Sequence, residues 1–339
     1  MKLKHIFSKL TIITFILIFG MLASFSVDAA PIILRLGHID TISSPDGQGA
    51  EKFKEIVENR TDGEIQIHVF PSEQLGPATA MVEDVLDGTI DLFLENPAQF
   101  QDHVPAQAIH FAKYVYRDRD HLRQFIKSDL YDEVYTKPME EIGIKYLSEE
   151  HNWERGPVRL FVSKKPIFTP EDLKGVKLRL WDSTVPIKIW ETFGVSCTIL
   201  PWSEIYLALM TGTVDAVTAS GGVLWANKFT EVIKYVTLLK QQQQLIDLHM
   251  NLEKYNSLSS EHQQILVDAA YEAGEYFTSL VNNNWEMEKQ KMMDEHGAVF
   301  IEVSIKPFME KVKPILYELE DKGYWPKGLY DKIQAIGQD

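Results

Sequence analysis

The sequence predicts an α/β protein of two lobes, and three observations carry that expectation. Strand-like and helix-like periodicities alternate through the first hundred residues, the same alternation returns between 160 and 218, and a long helical stretch begins near Ser260. A chain of 339 residues, even without a cleavable leader, is also longer than one hydrophobic core usually serves.

Residues 1–29 read as a secretory signal peptide. Lys2, Lys4 and Lys9 precede an apolar run from Ile12 to Phe25, and Val27-Asp28-Ala29 supplies small residues for cleavage after Ala29. The run is short for a membrane span and no later segment reaches that length, so no membrane insertion is expected of the mature chain. The first lobe, 30–150, opens with Ile33, Leu34 and Leu36 as a strand running into Gly37-His38-Ile39-Asp40. Ser44 and Pro45 suit the cap and first residue of a helix whose apolar stripe is Ala50, Phe53 and Val57. Glu64 to Phe70 alternates, with Ile65, Ile67 and Val69 inward, as a second strand. Pro77 starts a helix carrying Met81, Val82, Val85 and Leu86, Gly88 stops it, and Ile90 to Leu94 is the next strand. Parallel strands need a crossover rather than a tight turn, so this spacing calls for a parallel sheet with crossover helices.

The second lobe, 151–240, repeats the grammar. Leu160 to Val162 is a short strand. Thr169 caps a short helix whose first residue is Pro170, Asp172 completes a capping box, and Gly175 suits the left-handed position that ends it. From Val176 a strand alternates, with Val176, Leu178 and Leu180 on one face and Lys177, Arg179 and Trp181 on the other. Val185 to Phe193 is a helix closed by Gly194, Cys197 to Leu200 a strand, and Ser203 caps a helix that ends at Gly212. Val214 to Thr218 is one more strand. The chain crosses between lobes at 145–156 and again at 238–248, returning to the first lobe over about 241–260, and two crossings make a hinge. From Ser260, with Gln263 completing a capping box, Leu266, Ala269, Ala273, Phe277 and Val281 hold helical spacing. Residues 260–339 thus give a long helix packed across both lobes, a strand at Ala298 to Val303, and helices containing Phe308, Val312 and Leu316.

Removing the leader takes three lysines and one aspartate from the 34 bases and 49 acids, so the formal charge moves from −15 to −17. Nucleic acid and anionic membranes are poor partners for such a surface, and a bound anion must be met by a few placed cations. Cys197 is the only cysteine, so no intramolecular disulfide forms, and its β-rich surroundings mark a structural thiol. The sequence has no Gly-x-Ser-x-Gly elbow, no His-Glu-x-x-His, no paired cysteine ligands and no phosphate loop. The expectation is therefore no catalytic residue, no cofactor and no metal; Glu149-Glu150-His151 matches no standard metal spacing. Arg179 and Trp181 share a face near the carboxyl end of their strand, where ligands sit in open α/β sheets. A guanidinium offers a carboxylate two parallel charge-assisted hydrogen bonds, which lysine does not reproduce; an internal ion pair is the competing use.

Seven stretches occur in a telling order: Leu36-Gly37-His38, Phe70-Pro71-Ser72-Glu73-Gln74-Leu75-Gly76, Asp87-Gly88-Thr89-Ile90-Asp91, Lys165-Pro166, Thr169-Pro170-Glu171-Asp172-Leu173-Lys174-Gly175-Val176-Lys177-Leu178-Arg179, Ser203-Glu204-Ile205-Tyr206-Leu207-Ala208-Leu209 and Thr213-Val214-Asp215. With these the chain resembles the extracytoplasmic solute receptors of TRAP transporters, the DctP family named for its C4-dicarboxylate-binding member, over nearly its whole mature length. The resemblance implies a periplasmic binding protein-like fold of type II, with two parallel or mixed sheets, a hinge and the long helix across both lobes. It implies a monomer in the periplasm that closes on a small carboxylate (an organic acid, a sugar acid or a zwitterion) and delivers it to TRAP membrane subunits. It puts Arg179 where the ligand carboxylate is received, and Arg159 at a second cationic position one strand earlier, for which Arg155 competes. Glu95 falls where some members turn an acid into the cleft, which would suit a ligand hydroxyl or ammonium. The loop of His38, Ile39 and Asp40 matches one that lines the cleft, and Trp181, Asp182 and Trp202 align beside the anchor. Two tryptophans there favour a ligand with a flat or apolar part.

The chain also departs from the family. Where many members carry Glu-Asn-Pro with the asparagine on the ligand, it reads Thr218-Ala219-Ser220, so that contact is lost or passes to Ser220. A common histidine after the crossover is Gln241 here, and the usual Leu-Pro-Phe is Phe111-Ala112-Lys113-Tyr114. These changes leave the role intact and the ligand open. Two other roles remain compatible with the same residues, a receptor reporting to a sensor kinase and a periplasmic enzyme acting on a carboxylate.

Overall fold

The computed structural model describes residues 30–156 and 159–338; the leader expected at 1–29 lies outside them. In chain order the strands are β1 (Ile32–Gly37), β2 (Ile65–Phe70), β3 (Leu92–Glu95), β4 (Ile144–Tyr146), β5 (Glu154–Arg155), β6 (Leu160–Ser163), β7 (Lys177–Leu180), β8 (Ser196–Ile199), β9 (Ala216–Ala219), β10 (Tyr235–Leu238), β11 (Gln244–Leu245), β12 (Asp247–Asn251) and β13 (Val299–Glu302). The helices that matter for the site are α1 (Pro45–Arg60), α2 (Ala78–Leu86), α3 (Arg119–Ile126), α4 (Thr184–Glu191), α5 (Ile205–Thr211), α6 (Gly221–Ala226), α7 (Ser260–His296), α8 (Lys306–Asp321) and α9 (Leu329–Ala335).

Each lobe is built on one sheet, the first in the order β2-β1-β3-β12-β4 and the second in the order β13-β10-β6-β9-β7-β8. Strands joined by helices run parallel, as β1 does with β3 and β7 with β8 and β9. Strands that arrive directly from a crossing run antiparallel, as β12 does beside β3 and β4, and β6 beside β9 and β10. They need no crossover helix, which is why the sheets are mixed. The two crossings pair with each other as the β5-β11 ribbon, Gln244 opposite Arg155 and Leu245 opposite Glu154. The hinge is thus a hydrogen-bonded ribbon rather than two independent linkers.

Local sequence signals place most elements. Ser44 accepts from the Gly47 amide at the start of α1, and the Thr169–Asp172 capping box is formed, although the helix it opens is a single 3-10 turn at Pro170–Leu173. Gly37 lets α2 pack close, since a Cβ there would lie 2.7 Å from the Met81 sulfur and displace that side chain. Leu178 and Leu180 of β7 are fully buried on one face, each contributing on the order of 1.5–3 kcal/mol of burial, so the opposite face of the strand carries Arg179.

Two expectations are corrected, and one stretch without an expectation is filled in. The long helix is capped by Ser259, whose hydroxyl accepts from the His262 amide, while Gln263 turns back to the Tyr255 and Leu258 carbonyls; the expected Ser260–Gln263 box lies one residue too late. Ser203 caps no helix: a 3-10 turn at Trp202–Glu204 precedes α5, and the Ser203 hydroxyl donates to Glu73 of the first lobe. Residues 97–141, which periodicity leaves unassigned, form 3-10 turns at Pro97–Phe100 and Pro105–Phe111, then α3 and short helical turns. The 3-10 turns carry no 3.6-residue period to read; α3 does, with Leu122, Phe125 and Ile126 on one face and Asp118 as its cap, in a stretch of only eight residues. They pack Ile109, Phe111 and Phe125 into a core shared with Leu178, Trp190 and Leu316. The 37-residue α7 runs along α1 and then against α6, with Trp153 donating from its indole to the Ala270 carbonyl at 2.9 Å. No helix among the described residues is long and apolar enough to cross a membrane. Cys197 is half-buried, and burial pushes its thiol up to about 11, so it stays protonated at neutral pH.

Candidate functional site

A cleft opens between the two sheets, above the β5-β11 ribbon. The first lobe lines it with Ile39, Glu73, Pro77 and Glu95, the second with Arg159, Arg179, Trp181 and Trp202, and the crossings with Arg155 and Gln244. β7 lies between β8 and β9, so Arg179 rises from inside a sheet, 5% exposed. Its Nε donates to the Leu200 carbonyl at 2.9 Å, and its guanidinium carbon lies 5.2 Å from the centre of the Trp202 ring. Neither terminal nitrogen has a partner among the described residues. Burial draws its pKa down to about 10, which leaves it charged at neutral pH.

Arg159 is equally enclosed. Its Nε donates to the Thr218 hydroxyl, Nη1 to Gln244 Oε1 and Nη2 to the Thr218 carbonyl, each at 2.8 Å, and the group stacks 5.3 Å from the Trp181 ring centre. All three partners are neutral. Burial first, then the charges of Arg155 and Arg179, pull it down to about 9. Two buried guanidiniums without acid partners therefore face one cleft.

Arg155 is spent on the protein. Nη1 and Nη2 donate to the two oxygens of Glu95 at 3.0 and 2.9 Å, while Nε and Nη2 reach Asp46 at 3.3 and 3.1 Å, and Asp40 lies 3.8 Å away. Burial opposes its charge, but Asp46 and Glu95 more than offset that and hold the guanidinium protonated. Of the two arginines competing for the second cationic position, only Arg159 keeps its charge uncompensated. Glu95 lines the cleft, but Arg155 engages both of its oxygens, so it does not stand ready for a ligand ammonium.

The expected residues divide by place. Arg179, Arg159, Glu95, Trp181, Asp182 and Trp202 line the cleft together, Asp182 at the exposed rim. His38, Asp40 and Ser220 do not; of the expected loop, Ile39 reaches the cavity. His38 is 1% exposed, and burial above all draws its pKa down to about 4, so the ring is neutral. Asp40 is buried against Asp46, which together with burial raises its pKa, and it accepts from Asn227 of the second lobe at 3.1 Å. Ser220 sits at the N-terminus of α6.

Glu73 escaped sequence reading. It sits in the Pro71–Gly76 turn, where Ser72 and Glu73 both hold φ at +57°, and from there reaches the second lobe. Its oxygens accept from the Trp202 amide at 3.2 Å, the Ser203 amide at 3.0 Å and the Ser203 hydroxyl at 2.7 Å. Phe111, noted only as a departure, packs edge-on to Trp181 with ring centres 4.8 Å apart and lines the cleft. No group of three metal-ligating side chains exists among the described residues. His151 is instead paired with Asp247 at 3.0 Å and Glu149 with Lys145 at 2.9 Å.

The family model described as bacterial extracellular solute-binding protein, family 7 (DctP) matches residues 36–322. The chain is 32% identical over 296 residues to the 2,3-diketo-L-gulonate-binding periplasmic protein of Escherichia coli, covering 87% of this chain and 88% of that one. It is 27% identical over 308 residues to the sialic acid-binding periplasmic protein of Vibrio cholerae, covering 90% and 93%. A TRAP periplasmic solute binding protein from Polaromonas sp. JS666 bound to D-erythronate matches with a TM-score of 0.82 at 25% identity, over 91% of this chain and 100% of that one. A similar protein from Ochrobacterium anthropi with bound L-fuconate matches with a TM-score of 0.82 at 26% identity, over 90% and 99%.

Proposed function

The chain belongs to family 7 of the bacterial extracellular solute-binding proteins, and from that premise we propose that it is exported by its leader to the periplasm, closes there on a small carboxylate and delivers it to TRAP membrane subunits. One observation carries the ligand class: Arg179, a buried guanidinium that faces the cleft with no acid partner among the described residues. A buried charge is ordinarily paired, because leaving water without a counter-charge is costly. A ligand carboxylate supplies the missing charge and matches the fork of donors. Arg159 adds a second positive charge from the adjoining wall. Erythronate, fuconate and diketogulonate, the ligands of the proteins compared above, are carboxylates too.

The lobes divide at 30–150 with the return segment at 241–260, at 151–240, and at 260–339 for the helices packed across both, and within the first span residues 97–141 reach over to share the core of the second sheet. Closure turns about the β5-β11 ribbon. The ligand favours it only insofar as it touches both walls of the cleft. No catalytic step is assigned. The test is a thermal-shift screen of the mature protein against carboxylates, sugar acids, amino acids and zwitterionic osmolytes. Ligand present at a hundred times its Kd adds about 2.7 kcal/mol of stability. Stabilisation by one or more carboxylates, lost in Arg179→Ala, is the expected result; if no carboxylate in the screen raises Tm, the reading fails.

A further inference from the structure

The surroundings of the two guanidiniums bear on which carboxylate the cleft takes, and there carbon dominates. Phe111, Trp181 and Trp202 line it with rings, and Ile39, Leu200 and Pro201 close the remaining walls. Most polar side chains in the lining are already engaged. Both oxygens of Glu95 are held by Arg155, both oxygens of Glu73 by the Trp202–Ser203 turn, and the Gln244 oxygen by Arg159. Thr218, on the stretch where many relatives carry a ligand-binding asparagine, gives both its hydroxyl and its carbonyl to Arg159, and Ser220 lies away from the cavity. What remains for a ligand besides the guanidiniums is mostly donors: the indole N–H groups of Trp181 and Trp202 and the side-chain nitrogen of Gln244 have no partner among the described residues, while the acceptors left are those of Gln99, half-buried, and of Thr79 and Asp182 at the exposed rim.

The cation positions agree with this. Each guanidinium lies over a tryptophan face, Arg159 on Trp181 and Arg179 on Trp202, so the rings hold the charges in place, and the one polar group each ring carries is a donor, an indole N–H without a protein partner. The space within the cleft is about 160 Å³. An apolar cavity of about 150 Å³ takes up benzene, so the room here suits one ring or one short branched chain together with its carboxylate. A ligand oxygen that only accepts, as in a carboxylate or a ketone, suits these donors, whereas a hydroxyl must also donate, and with the Glu73, Glu95, Thr218 and Gln244 oxygens already engaged each buried hydroxyl left without an acceptor costs roughly five-fold or more in affinity.

Resting on the carboxylate-receptor reading above, we propose that the ligand is a small monocarboxylate with an aromatic or branched aliphatic body, and not a polyhydroxylated sugar acid. Its carboxylate docks on Arg179 under the added charge of Arg159, and its carbon body lies against Phe111, Trp202 and Leu200. Titration calorimetry of the mature protein at several temperatures tests this with phenylglyoxylate and 3-methyl-2-oxobutanoate on one side, and D-gluconate and D-galacturonate on the other. The expected result is binding of at least one apolar acid ten-fold or more tighter than either sugar acid, with a negative heat-capacity change, the marker of apolar burial. Tighter binding of a sugar acid, or apolar-acid binding without that heat-capacity change, overturns the proposal. If a sugar acid binds and Arg179→Ala abolishes it, only the ligand's body has been misjudged. If none of the four binds and no acid in the wider screen does, the receptor reading falls and this proposal with it.

Discussion

A buried guanidinium either answers an internal acid or waits for an external one, and the chain contains both kinds 24 residues apart. Arg155 holds Asp46 and Glu95 together, whereas Arg179 gives one bond to a backbone carbonyl and keeps its terminal nitrogens for the cleft. Their substitutions should separate. Arg179→Lys keeps the charge but loses the planar fork, and Arg179→Ala loses both; truncating a buried hydrogen-bonded charge costs about 2–5 kcal/mol of binding, a Kd weaker by roughly thirty-fold or more for the alanine. Calorimetry with whichever carboxylate the screen identifies should show that ordering, with the unliganded Tm little changed. Equal affinity of Arg179→Lys and wild type would remove the bidentate argument. Arg155→Ala strands two buried carboxylates and should cost about 3–5 kcal/mol of folding stability, read by denaturant unfolding. Arg179 is legible in the sequence because strand alternation alone sets it opposite the buried Leu178 and Leu180. Arg155 is not, because its partners lie 109 and 60 residues away, and a sequence does not display such distances as contacts.

At the scale of elements, legibility follows how local the cause is. The Thr169–Asp172 box and the Ser44 cap are made by residues three apart, so they can be read directly. Residues 97–141 take their shape from a core shared with β7, α4 and α8, and apart from the short α3, with Leu122 and Phe125 one turn apart, no periodicity of their own announces it. The long helix shows both sides: its apolar spacing is plain, yet the burial of Glu288 on it is invisible until α1 and α6 are placed. Glu288 is 8% exposed, close to Gly222, which itself abuts Pro45. Burial, only partly countered by Lys291, raises its carboxyl from 4.5 to about 7. Between those values the folded protein holds a proton that the unfolded chain has released, so this group lowers stability progressively as pH rises from about 4.5 to about 7. Glu288→Gln should remove that slope. Tm measured across this range should rise in the variant relative to wild type as pH increases, then hold a constant gap above pH 7; a gap that does not change with pH would show that the carboxyl is not titrating there.

Over the whole molecule, the two lobes also touch outside the hinge ribbon. Ser183 bonds Gln101 at 3.0 Å, Asn227 bonds Asp40 at 3.1 Å, and Glu73 receives the amides of Trp202 and Ser203. Of these, the Glu73 contact combines an ionised acceptor with backbone strain. Two successive non-glycine residues in the left-handed region cost roughly 1–2 kcal/mol each, and here they aim a carboxylate at the opposite lobe. The arrangement makes Glu73 a strut that favours the closed form by one or more charge-assisted bonds, each worth about 1.5–3 kcal/mol net. The hinge can be read in the sequence as two crossings, but the strut cannot, since Glu73 and Ser203 lie 130 residues apart and neither changes the local pattern. Glu73→Ala should therefore shift the unliganded protein toward the open form and speed ligand release about ten-fold or more, because losing about 1.4 kcal/mol from the closed complex alone is worth that factor. Small-angle scattering should give a larger radius of gyration for the unliganded variant, and stopped-flow displacement a faster dissociation rate at nearly unchanged association rate. Arg179 keeps its own contacts in this variant, so ligand should still bind. An unchanged radius together with an unchanged dissociation rate would leave the Glu73 contact as an incidental touch between neighbours, and the work of closure would then rest on the ligand bridging the two walls.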